Sequence, residues 1–90
     1  MKRQGIVYLV GAGPGDPGLF TLKGVECLKK AEVVVFDRLV NPRILAYAGP
    51  EAEMIYVGKA SSTHTLTQDK INQLLADKAC EGKVVVRLKG

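Results

Sequence analysis

A chain of 90 residues, 47% hydrophobic and 24% charged, has room for one small globular domain with a thin stability margin. No apolar run approaches the length needed to cross a bilayer, and the basic residues behind the net charge of +4 are dispersed rather than gathered into a nucleic-acid-binding tail. That leaves an anionic partner, small or large, with neither a membrane nor a nucleic acid expected. Cys27 and Cys80 fall in separate helical patterns with no C-x-x-C, which reads as a reduced, cytoplasmic chain whose thiols pack as small hydrophobes rather than act as nucleophiles.

The N-terminus, MKRQGIVYLVG, starts basic, but its apolar stretch is brief and runs into glycine and proline. It reads as a first strand over 6–10 rather than a signal peptide. After the glycine-rich segment GAGPGDPG (11–18) comes TLKGVECLKKA, a helix over 21–31. Leu22, Val25 and Leu28 recur three apart, Thr21 is placed to cap the start, and Lys29 and Lys30 suit the last turn. Gly24 costs about 1 kcal/mol inside a helix, so its presence suggests close packing on the sheet. A second strand is expected over 33–36. A short helix follows, with Asn41 as N-cap, Pro42 at the first position, Gly49 past its end and Pro50 after it.

The third strand is expected over 54–57. The polar loop KASSTHTLTQ comes next and holds the chain's single histidine, His64, read as an exposed loop residue with no ligand set for a metal around it. Thr65 and Gln68 could form a capping box for a third helix over 67–80. In that helix Ile71, Leu74, Leu75, Lys78 and Ala79 form one stripe and Gly82 marks the stop. A fourth strand is expected over 84–88.

The four strand segments are rich in Val, Ile and Tyr and do not alternate, as strands covered on both faces do. The order β-α-β-α-β-α-β therefore predicts an α/β fold, a right-handed, doubly wound parallel sheet of about four strands with flanking helices. In such sheets ligands bind beyond the carboxyl ends of the strands. Those ends carry 11–18, Asp37 with Arg38, Gly58 with Lys59, and Lys89 with Gly90. The chain also stops at that edge, which reads as a piece of a longer protein.

The glycine loop is poorly built for pyrophosphate. Gly11 and Gly13 match the first two glycines of G-x-G-x-x-G, but Asp16 stands at the third. Pro14 and Pro17 each remove a backbone donor, and Asp16 puts a negative charge where phosphate would sit. A nucleoside without phosphates, carrying a cationic centre, fits better; the alternative is a tight turn with no ligand.

Four segments, VYLVGAGPGDPGLFTLKG, VVFDRLV, VGK and VVRLKG, together resemble the tetrapyrrole methylase family, and within it the uroporphyrinogen-III C-methyltransferases, in order and over the whole chain. The resemblance implies that residues 1–90 form most of an N-terminal domain, lacking its last strand and the second domain that closes the cofactor cleft. It implies S-adenosyl-L-methionine as cofactor, S-adenosyl-L-homocysteine as its product, and C-methylation of uroporphyrinogen III to precorrin-2, towards sirohaem and cobalamin. It also implies a homodimer in the complete protein and no activity for these 90 residues alone.

By position, Pro14 matches the family's cofactor-contacting proline, in a loop with Gly11, Gly13 and Gly15. Asp37 matches the acid proposed as proton acceptor, and Lys59 the lysine proposed as proton donor; no metal is expected. Each has a plainer reading. Asp37 could cap the loop after strand two, pair with Arg38, or bind a ribose hydroxyl in a dinucleotide fold. Lys59 could be a solvated lysine. Lys23, Arg38 and Arg43 could meet substrate carboxylates or simply face water. Three functional alternatives stay open: a Rossmann-type nucleotide module, disfavoured by Asp16; another family member with a different substrate; and a small fold that binds a partner through an open sheet edge.

Overall fold

The computed structural model describes residues 5–13, 18, 20–58 and 67–90. Four strands, β1 (Ile6–Gly11), β2 (Val33–Phe36), β3 (Glu53–Tyr56) and β4 (Val84–Lys89), alternate with helices α1 (Leu22–Lys30), α2 (Pro42–Leu45) and α3 (Gln68–Cys80). All strand pairs are parallel, in the spatial order β1-β4-β2-β3. The chain therefore steps outward from β1 to β2 to β3, then returns through α3 to insert β4 between β1 and β2.

The helices divide accordingly. Cys27 and Leu28 of α1 and Ile44 of α2 pack with Val34, Val86 and Leu88 on one face. Ile71 and Leu75 of α3 pack with Val33, Val35 and Val85 on the other. Right-handed crossovers demand this switch of face when the direction of travel reverses, so the sheet is doubly wound as expected.

Helix starts follow the capping chemistry. Thr21 Oγ1 accepts from the Gly24 N–H at 3.0 Å, and Asn41 Oδ1 from the Arg43 N–H at 2.9 Å. The cap of α3 is Thr67, which accepts from Lys70 N–H at 3.2 Å. Thr65, named for a capping box, lies outside the described residues, as does His64. The helical hydrogen bonds of α2 end at Leu45, and the chain reaches Gly49 through tighter turns in which Tyr47 and Ala48 donate to Ile44 and Leu45. Gly24 makes room for the Phe20 ring, whose Cζ would lie 2.6 Å from an added Cβ, rather than for the sheet.

Two expectations need correction. Only β2 and β4 are buried on both faces; β1 and β3 are edge strands and keep Leu9, Met54 and Tyr56 exposed. The apolar runs read alike because strand composition reports β-propensity, while lateral position is set by the order of insertion. Cys27 is buried as a small hydrophobe, but Cys80 sits at the end of α3 in solvent.

Candidate functional site

The carboxyl ends of the strands are brought level by register. Gly11 pairs with Lys89, and Phe36 pairs with Leu88 and with Tyr56. One residue further along, Asp37, Lys89 and Val57 continue the same row, and the Val57 N–H still donates to the Phe36 carbonyl at 2.9 Å. Gly11 and Asp37 are thus separated by two strand spacings, about 10 Å. The topology adds a second pointer. β2 exits into α2 on one face and its neighbour β3 exits into α3 on the other, so their loops diverge. A crevice opens at such a switch point, and Asp37 and Gly58 flank it.

Asp37 is held tightly there. Its Oδ1 accepts from the Leu39 N–H at 2.9 Å and its Oδ2 from the Gly90 N–H at 3.3 Å. The Arg87 Nη2 stands 3.9 Å from Oδ2, with the two side chains 9% and 18% exposed respectively. Glycine is required on both sides of it. A Cβ on Gly58 would lie 2.9 Å from the Asp37 Cβ and 2.7 Å from the Arg38 N, and one on Gly90 would collide with the Leu39 Cβ. The loop-capping reading of Asp37 is therefore correct as local structure. Its ionic partner, however, is Arg87 and not the neighbouring Arg38, which points to solvent.

At the β1 end the ladder runs one residue past the strand, with the Ala12 N–H donating to Lys89 at 2.8 Å. Gly13 then turns the chain with φ 77°, a left-handed conformation that favours glycine. Among the described residues nothing lies within 4 Å of where a Gly11 side chain would project. Gly11 opens instead onto two grooves along β1. One, of about 310 Å³, is lined by Gln68, Asn72, Arg87 and Lys89; the other, of about 480 Å³, by Tyr8, Thr21, Lys23 and Cys27. A depression of about 470 Å³ lined by Lys29, Glu32, Glu53 and Lys83 lies at the opposite, amino edge, the wrong end of a parallel sheet for ligand chemistry.

Of the residues singled out from sequence, Gly11, Gly13 and Asp37 share this edge. Pro14, Gly15, Asp16 and Lys59 lie outside the described residues. Lys23 lines a groove beside Gly11, while Arg43 is exposed on α2. Sequence reasoning missed Arg87. The signal was present: an arginine inside an otherwise apolar parallel strand is costly to bury without a partner. Among the described residues no group of three or more potential metal ligands occurs, and no helix is long and apolar enough to cross a membrane.

A sequence model of the family described as Tetrapyrrole (Corrin/Porphyrin) Methylases matches residues 6–90. The uroporphyrinogen-III C-methyltransferase of Methanocaldococcus jannaschii is 56% identical over 86 residues, covering 96% of this chain and 36% of that protein. The crystal structure of uroporphyrin-III-C-methyltransferase from Thermus thermophilus superposes with a TM-score of 0.80 at 46% identity, over 98% of this chain and 35% of that one. A structure of the Thermus thermophilus transferase complexed with S-adenyl homocysteine matches with a TM-score of 0.72 at 51% identity, over 93% of this chain and 32% of that one. The chain spans from about a fifth to a little over a third of the length of the curated relatives it matches.

Proposed function

The chain belongs to the tetrapyrrole (corrin/porphyrin) methylase family, and on that premise we propose that it forms most of the first domain of an S-adenosylmethionine-dependent C-methyltransferase acting on uroporphyrinogen III. The observation that carries this reading is the row at the carboxyl edge, where an open glycine backbone at Gly11 stands level with a rigidly held carboxylate at Asp37. Relatives with this sequence pattern carry that activity in their names, and one is complexed with the demethylated cofactor.

The described residues fit such a cofactor. The space over Gly11 lets a ligand reach the backbone. Gln68 and Asn72 offer uncharged donors and acceptors in the adjoining groove. Gly11 and Gly13 would hold the cofactor, with Pro14 and Gly15 assigned by the resemblance alone. When bound, S-adenosylmethionine supplies a methyl group on a positively charged sulfur.

Asp37 then has a defined task. A pyrrole carbon that gains a methyl group becomes quaternary and leaves the macrocycle cationic, so the macrocycle must lose a proton from another position. There a C–H bond breaks, its electron pair returns to neutralise the ring, and the proton passes to the carboxylate of Asp37. Lys59 is proposed as a proton donor to the macrocycle. The product of two such methylations is precorrin-2, which leads to sirohaem and cobalamin. The same reading carries a cytoplasmic homodimer that binds no nucleic acid or membrane.

The test uses the full-length protein that contains this sequence. Asp37→Asn should lower kcat on uroporphyrinogen III by about 10²–10⁴-fold, the usual worth of a general base, while cofactor binding measured by calorimetry stays within a few-fold. Near-normal turnover by the variant would remove Asp37 from the chemistry. The isolated 90-residue chain should show no turnover, because the cofactor cleft needs the second domain.

A further inference from the structure

Arg87 occupies a position where a parallel sheet ordinarily places Val or Ile. It lies on central strand β4, paired with Leu9 of β1 and Val35 of β2, on the face covered by α3, and is 8% exposed. Burying a guanidinium beside Val35 and Val85 carries a desolvation cost of several kcal/mol, which only good partners offset. Its partners all lie at the carboxyl edge. Nη1 donates to the Leu88 carbonyl at 2.9 Å, fixing the head of the side chain to the backbone, and Nη2 faces Asp37 Oδ2 at 3.9 Å.

The second half of the arrangement is the confinement of Asp37. Gly58 closes on its Cα and Cβ, Gly90 on its carboxylate and on Leu39, and the Leu39 and Gly90 N–H groups take one oxygen each. A carboxylate that only capped a loop would be served by the Leu39 N–H. The buried cation adds nothing to that turn, but it supplies a fixed counter-charge on the side of the carboxylate turned into the sheet.

We infer that Arg87 is a positioning residue for Asp37: tied to the Leu88 carbonyl, it holds the carboxylate's orientation and keeps it ionised until the proton arrives. The inference rests on the reading of Asp37 as the proton acceptor. In that step a substrate C–H bond breaks, the electron pair stays on the ring, and the proton ends on an Asp37 oxygen. Arg87 neither gains nor loses a proton and does not touch the substrate.

The test is a double-mutant cycle in the full-length protein with uroporphyrinogen III and S-adenosylmethionine. Arg87→Gln should lower kcat by about tenfold or more. Arg87→Lys, which restores the positive charge, should recover most of that loss. In the Asp37→Asn background Arg87→Gln should cost nothing further, because the group it positions is gone. Losses that multiply across the two sites, or an Arg87→Gln enzyme as fast as the parent, would overturn the inference while leaving Asp37 as base. Full turnover by Asp37→Asn alone would instead remove the reading it rests on, and the inference with it. Should Arg87→Gln fail to fold, the cycle is run with Arg87→Lys, whose shorter reach predicts a partial loss that again vanishes in the Asp37→Asn background.

Discussion

The central strands β2 and β4 and the edge strands β1 and β3 do different work. Val33, Val34, Val35, Val85, Val86 and Leu88 have no exposed surface, whereas Leu9 on β1 is 78% exposed and Met54 on β3 is 40% exposed. Burying each central aliphatic side chain contributes on the order of 1.5–3 kcal/mol. The centre therefore supplies cohesion on both faces at once. The edges supply less, but β1 delivers Gly11 and its two open grooves, and β3 delivers Gly58 to the crevice beside Asp37. β4 belongs to both regimes: Val85, Val86 and Leu88 hold the core while Arg87 leaves it to meet Asp37. In this fold the rim acquires its precision from the rigidity of the strands it terminates.

The sharpest way to break that contrast is a truncation on each side. Leu88→Ala should cost about 2–5 kcal/mol, because α1 and α2 cannot collapse onto the vacancy without leaving β2. Against the thin margin of a small domain this would unfold much of the chain at 37 °C. Leu9→Ala should stay within about 0.5 kcal/mol. Denaturant titration of the two variants decides it. Equal losses would mean that β1 contributes as much packing as the centre.

Next in size is Gly58→Ala, which forces a Cβ to within 2.7 Å of the Arg38 backbone N and 2.9 Å of the Asp37 Cβ. Overpacking of this kind costs about 1–3 kcal/mol. Gly49→Ala, with none of the described residues within 4 Å, should be close to neutral. A Gly58→Ala protein as stable as Gly49→Ala would show that the crevice beside Asp37 has slack.

The smallest effect concerns the amino end of β3, where Lys78 of α3 donates to Glu53 at 3.0 Å. That hydrogen bond, aided by the charges of Glu53 and Glu81 and opposed by desolvation, holds the Lys78 ammonium above its ordinary value of 10.5. A cation whose pKa rises on folding stabilises the fold fully below the unfolded value and loses that contribution as pH climbs through the folded one. Lys78→Gln should therefore lower the thermal midpoint slightly at neutral pH, and the difference from the parent should vanish once the pH has risen through the folded pKa of Lys78. A difference that persists there would assign the effect to packing of the lysine stem.

Local chemistry made most of the elements legible in the chain itself. Thr21 and Asn41 cap the helices the sequence marks them for, the Ile71–Leu75 stripe faces the sheet, and four Val-rich runs become four parallel strands. Four short segments also sufficed to identify the family. Neighbourhood across the sheet was not legible. That β4 inserts between β1 and β2, leaving β1 and β3 as edges, depends on crossover direction and on which helix covers which face, and neither is written in a strand's own residues. For the same reason Asp37 was matched with its sequence neighbour Arg38, while the partner the fold provides is Arg87, fifty residues later on the adjacent strand. Residue type and spacing determine what a segment can form and which side chains could do chemistry. Only the register of the assembled sheet decides which of them meet, because long-range contacts are made by packing the elements together and not by any one of them.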